Sequence, residues 1–158
     1  MYNGKLVCSH DSASNSSPSF SDYLDICKKY GMVAVIDIKS GGGEEKIRKT
    51  VEMVNSKGMI NQTVFQCSMV SYLKLVRKYS SNARIWYLRD SYSSDVVRTA
   101  KELNAEAVNI NYTNTTSSVI NDLHNNNIKV CVYVVNSKTG KDKFLSYKAD
   151  YIMSNLPL

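Results

Sequence analysis

The sequence predicts an α/β fold, an incomplete (β/α)8 barrel of the TIM type with about six parallel strands and intervening helices, and two observations predict it. Short apolar runs recur at intervals of roughly twenty to thirty residues, and an amphipathic helical pattern fills each interval. Length sets the qualifier: the chain has 158 residues, whereas a closed eight-stranded barrel uses about 250 and rarely fewer than about 200. A chain of this size still buries roughly 70% of the surface its unfolded form exposes, so one core and a single domain over 1–158 are expected.

The elements follow in order. A short strand is expected at 6–8, joined by a polar loop over 11–19 to a helix starting near Phe20. Ser19 or Ser21 can cap that helix, Tyr23, Leu24, Ile26, Cys27 and Tyr30 form its apolar side, and Gly31 ends it. The first main strand spans 33–38. The helix over 44–57 places Ile47, Val51 and Val54 on one stripe, with Glu44 and Glu45 at its start and Gly58 just past its end.

Strands at 63–67, 84–88, 107–111, 129–135 and 151–153 complete the series. The helices between them carry Met69 or Val70, Leu73 and Val76, then Val96, Val97, Ala100 and Leu103, then Val119, Ile120 and Leu123. A short last helix over 141–147 offers Phe144 and Leu145. Six strands buried on both faces and six single-sided helices are expected.

Composition narrows the function classes. Hydrophobic residues make up 43% and charged residues 22%, and no apolar run approaches the roughly 18 residues of a membrane span. The opening residues lack the apolar core of a secretory signal, so a cytoplasmic location is expected. Cys8, Cys27, Cys67 and Cys131 form neither a Cys-x-x-Cys pair nor a zinc pattern, and read as reduced, buried hydrophobes. The formal charge of +6 is spread along helices, with Lys46, Arg48, Lys49, Lys74, Arg77 and Lys78 near Glu44, Glu45 and Glu52. Those groups read as solvated helix faces, and no nucleic-acid partner is expected.

In parallel α/β folds, functional groups gather at the carboxyl ends of the strands. The residues there are Asp37 and Lys39, Gln66 and Ser68, Arg89 and Asp90, Asn109, Asn111 and Tyr112, Tyr133 and Asn136, and Ser154 and Asn155. The strand period of two turns Asp37 and Lys39 to the same side. They read either as a cation-holding carboxylate beside a phosphate-holding ammonium, or as an internal salt bridge. His124 ends a helix ahead of the strand at 129–135, so it belongs at the opposite, amino-terminal rim as a surface residue.

Several segments resemble the glycerophosphodiester phosphodiesterases. Asn3-Gly4-Lys5-Leu6-Val7-Cys8-Ser9-His10-Asp11 resembles that family's DG-x-x-V-x-x-HD, and Pro18-Ser19-Phe20-Ser21-Asp22-Tyr23-Leu24 resembles its P-T-L-x-E-x-L helix start. Asp37-Ile38-Lys39 resembles E-I-K, Phe65-Gln66-Cys67-Ser68 a strand ending in S-F, the stretch 130–136 V-x-V-W-T-V-N, and 150–157 D-G-I-x-T-D-x-P. The matches run in the family's order along nearly the whole chain.

The resemblance implies a phosphoric diester hydrolase of lipid metabolism that cleaves glycerophosphodiesters with a divalent cation, calcium or magnesium. In that scheme two histidines act as base and acid, the substrate's glycerol hydroxyl attacks phosphorus, and water opens the cyclic phosphate. Carried over by position, His10 is the leaving-group acid, Asp37 a metal ligand and Lys39 a phosphate contact. Tyr133 stands where the family has a site-lining Trp, and Gln66 and Asn136 are further substrate contacts. The family's H-R-G, E-N and E-x-D segments would precede Met1, and with them one histidine, an arginine and two metal carboxylates. The expectation is therefore an N-terminally truncated barrel, weak or inactive as this chain alone. Its partners would be a glycerophosphodiester or other phosphodiester and, through exposed sheet edges, a second copy of itself. The alternative is a degenerate, non-catalytic barrel that binds a phosphorylated ligand.

Overall fold

The computed structural model describes residues 1–157. Among the described residues six strands alternate with six α-helices, and the described strand pairings are parallel, the pattern of an incomplete (β/α)8 barrel. None of the described helices is long and apolar enough to cross a membrane. The chain comprises two compact units, Met1–Arg84 and Ile85–Leu158.

The first unit contains α1 (Phe20–Lys29), β1 (Ala34–Asp37), α2 (Gly43–Ser56), β2 (Thr63–Cys67) and α3 (Val70–Tyr79). Ser19 caps α1, its side chain accepting from the Asp22 amide. β1 pairs with β2 in the register Ala34 with Thr63 through Asp37 with Gln66. The core is built from Leu24 and Cys27 of α1, Ile47, Val51 and Val54 of α2, Val64 and Phe65 of β2, and Leu73 and Val76 of α3.

Three expectations need correcting here. Residues 6–8 form no strand. The segment folds back on residues 18–20, with one antiparallel bridge from Val7 to Ser19 and the Cys8 amide donating to Pro18 O. Three apolar residues after a turn are too few for a ladder. Ile26 and Tyr30 are exposed although they were placed on the apolar side of α1. At about 100° per residue, Ile26 points nearly opposite to Leu24. β1 is not buried on both faces: Ala34 is buried, Val35 and Ile36 are half-buried and Asp37 is exposed, whereas all five residues of β2 are buried.

The second unit carries β3 (Arg84–Arg89, starting at the last residue of the first unit), α4 (Ser94–Glu102) and β4 (Ala107–Asn111). It continues with α5 (Ser117–Asn125), β5 (Lys129–Tyr133), α6 (Lys138–Ser146) and β6 (Tyr151–Ile152). Trp86 faces Ala107, Ala107 faces Lys129, and Cys131 faces Tyr151 in successive parallel ladders. The core combines Ile85, Val108, Ile110, Val130 and Val132 with Val96, Ala100, Ile120, Leu123 and Phe144 from the helices. The last helix starts three residues earlier than expected because Ser137 caps it, its side chain accepting from the Gly140 amide. β6 is a two-residue, half-buried strand.

His124 sits at the surface at the amino-terminal end of β5, as expected, and is held there by a partner. Its Nε2 lies 2.8 Å from Asp150 Oδ2, and the Val130 amide donates to the same oxygen at 2.8 Å. One carboxylate therefore ties the end of α5 to the start of β5 and the approach to β6. The cysteines match the expectation for Cys27, Cys67 and Cys131, which are buried and unbridged, whereas Cys8 is half-buried.

Candidate functional site

The carboxyl end of β1 places Asp37 and Lys39 on one side, as the period of two requires. Ile38 between them turns the other way and is buried. Lys39 Nζ lies 2.6 Å from Asp37 Oδ2, with side chains 50% and 34% exposed. The salt-bridge reading is therefore the observed geometry. A pair this open to solvent is worth about 0 to 1 kcal/mol, so its value lies in orienting the ammonium rather than in holding the fold.

Asp37 and Lys39 line a cleft of about 700 Å³ in the first unit, together with His10, Asp11, Tyr23 and Lys46. His10 is highly exposed, and its Nδ1 is 2.9 Å from Asp11 Oδ1. Tyr23 donates from its hydroxyl to Val35 O at 3.5 Å, and burial, helped by the neighbouring Cys27, pushes its pKa up to about 12. It thus acts as a fixed neutral donor on the cleft wall. Gln66 is buried opposite Asp37 in the β1–β2 register, and its carbonyl accepts from the Ile38 amide at 2.8 Å.

The remaining two sequence candidates belong to the second unit. Tyr133 ends β5, and its hydroxyl donates to Arg89 O at 3.1 Å. Asn136 Oδ1 accepts from the Asn155 amide at 2.9 Å and from Ser154 Oγ at 3.3 Å, so it joins the turn after β5 to the segment after β6. His10, Asp37 and Lys39 are brought to one cleft, with Gln66 at the strand beside it.

Lys46 was expected on a solvated helix face and is instead buried, only 9% exposed. Its Nζ donates to Lys39 O at 2.5 Å and to Ser40 O at 3.3 Å, and lies 5.6 Å from the centre of the Tyr72 ring. Desolvation lowers its pKa from the usual lysine value. Charge type concealed this residue in the sequence. Its position beside Ile47 and one turn before the buried Thr50 was the available signal.

A divalent cation of the calcium or magnesium type needs several oxygen ligands. Among the described residues no group of three or more His, Cys, Asp or Glu side chains could hold a metal ion, and Asp37 is already paired with Lys39. The residues present do not fit a cation cage. What the cleft offers is an ammonium held in place and an exposed imidazole whose Nδ1 is engaged by a carboxylate, beside a phenol whose proton is committed to Val35 O.

No family model matches the sequence, and no curated protein matches it. Solved structures do. A glycerophosphodiester phosphodiesterase from Parabacteroides distasonis is 17% identical with a TM-score of 0.83, covering 99% of this chain and 76% of its own. A phosphodiesterase from Oleispira antarctica, solved with the product sn-glycerol-3-phosphate, is 16% identical with a TM-score of 0.79, covering 87% of this chain and 57% of its own. A protein from Silicibacter pomeroyi described as a glycerophosphoryl diester phosphodiesterase is 16% identical with a TM-score of 0.80, covering 89% of this chain. This chain spans 54% of the Silicibacter protein and 65% of a similar protein from Galdieria sulphuraria. In fold, the chain is therefore similar to the glycerophosphodiester phosphodiesterases over most of its own length.

Proposed function

We propose that this chain carries the phosphate-holding part of a phosphoric diester hydrolase site of the glycerophosphodiester phosphodiesterase type, and that alone it binds such ligands with little or no turnover. The observation that supports this reading is the convergence of His10, Asp37 and Lys39 on one cleft, in an order along the chain that resembles the family's motifs. Lys39 would meet a phosphoryl oxygen as a point charge, with Asp37 fixing its direction. With Nδ1 of His10 engaged by Asp11, Nε2 is the nitrogen that would pass a proton to a leaving alkoxide. No step is assigned to a metal, because the residues present do not form its cage.

A second reading, a non-catalytic module for a phosphorylated ligand, is favoured by the Asp37–Lys39 pair, which commits the one strand-end carboxylate of the cleft. Calorimetry with glycerol 3-phosphate and an assay of glycerophosphocholine hydrolysis with calcium or magnesium test both. Binding lost in Lys39→Met supports the site. Weak turnover lost in His10→Ala selects the hydrolase site; where there is no turnover, binding weakened in His10→Ala keeps that reading and binding indifferent to His10 selects the module. Absence of binding in the wild type overturns both.

A further inference from the structure

Beyond Asp37 the backbone turns into α2 through four carbonyls, at residues 38–41, and each of them accepts from a side chain. Cys67 Sγ donates to Ile38 O at 3.1 Å, Lys46 Nζ to Lys39 O and Ser40 O, and the Tyr72 hydroxyl to Gly41 O at 3.4 Å. The next carbonyl, that of Gly42, accepts from the Lys46 amide at 3.1 Å and opens α2. Lys46 thus holds three of these five carbonyls, those of residues 39 and 40 through its ammonium and that of residue 42 through its backbone.

Burying an ammonium is unfavourable unless its protons are bonded. A leucine or methionine would fill the same space under the loop without that penalty. The distinguishing property of lysine here is that it donates to Lys39 O and Ser40 O together. Fixing the carbonyl of residue 39 fixes ψ at that residue, and with it the direction in which the Lys39 side chain leaves the backbone. Asp37 then holds the far end of the same side chain. We infer that Lys46 is a positioning residue for the phosphate-holding Lys39, acting from beneath through Lys39's own carbonyl.

This inference rests on the phosphate-holding reading of the cleft. Calorimetry of the full chain with glycerol 3-phosphate is the test. Lys46→Met should weaken binding about tenfold, the scale of losing hydrogen bonds made by a charged donor. Lys46→Arg, whose guanidinium can bond both carbonyls, should recover affinity to within about threefold. Unchanged affinity in Lys46→Met, or no rescue by arginine, would each overturn the inference. Lys46→Gln, which retains one donor group, replaces the methionine variant should that one not fold.

A wild-type chain that binds no glycerol 3-phosphate would overturn the reading of the cleft but not the placement of Lys39. The second is read separately, by NMR of the Lys39 ammonium paired with Asp37. That resonance should disappear in Lys46→Met and persist in Lys46→Arg. Its persistence in Lys46→Met would defeat the positioning role on its own.

Discussion

Lys39 Nζ sits 2.6 Å from Asp37 Oδ2, across the same side of one strand end. This spends the carboxylate on an ammonium and leaves Asp37 as a guide for Lys39. Asp37→Asn should therefore change stability by no more than about 1 kcal/mol, the usual worth of an exposed pair. It should also leave glycerol 3-phosphate binding detectable, and insensitive to EDTA. Urea denaturation and calorimetry read the two effects, and a strict calcium requirement in the wild type would return Asp37 to metal ligation.

Asp150 has a larger structural role than its half-exposed position suggests. One of its oxygens receives both the Val130 amide and the His124 ring. Asp150→Ala leaves a backbone donor at the start of β5 without its acceptor and should cost about 1–3 kcal/mol. His124→Gln, which removes only the ring contact, should cost less. A reversed order in urea midpoints would show that the imidazole, and not the amide, carries the tie.

Gly42 has a φ of +76°, and a Cβ there would come within 2.9 Å of Lys46 Cβ and 3.1 Å of its Cδ. Gly42→Ala combines left-handed backbone strain with a push on the buried lysine, and should destabilise the chain by about 1–3 kcal/mol. Gly41→Ala shares the positive φ but meets no atom within 4 Å. It should cost less, and equal losses of melting temperature would refute the steric argument.

Alkaline pH should weaken the fold through Cys131, whose thiol is pushed up to about 12 by burial. A folded pKa above the unfolded one means that the native state keeps its proton longer. The stabilisation is complete below the unfolded value of about 8.5 and is lost as pH rises toward 12, amounting to several kcal/mol at about 1.4 per unit. Lys46 acts with the opposite sign: its lowered pKa lets the native state shed a proton first, so its contribution rises with pH below about 10.4. Urea midpoints measured from pH 8 to 11 should fall in the wild type, fall less in Cys131→Ala and fall more in Lys46→Met.

β1 and β6 each have one described strand partner. On β1 the Val35 carbonyl is taken by the Tyr23 hydroxyl, which blunts one acceptor only. Open sheet edges recruit other strands. Concentration-dependent association is expected in size-exclusion chromatography, and Tyr23→Phe should strengthen it. A monomer at every concentration, with cooperative unfolding, would count against edge pairing.

The repeating strands were legible because β2 through β5 are short apolar runs bounded by polar turns, and α1 because Ser19 stands where a cap is needed. Asp37 and Lys39 were legible as a same-side pair because strand geometry alone places them there. The burial of Lys46 and the tie of His124 were not, because each is defined by a partner that local pattern cannot supply. A lysine on a helix reads as solvated until the preceding loop is seen to lay its carbonyls against it, and a surface histidine reads as unpartnered until Asp150 arrives from 26 positions away. Residues 6–8 failed for a related reason: three apolar residues can pair in more than one way, and here the returning chain at Ser19 decides.

The buried thiols give the molecule a built-in pair of clocks. Cys27 and Cys67 lie inside the first unit and Cys131 inside the second, all unbridged. A maleimide can reach them only when the surrounding packing opens. The labelling times of these three sulfurs would therefore time the opening of each half of the chain separately, with no dye or tag added.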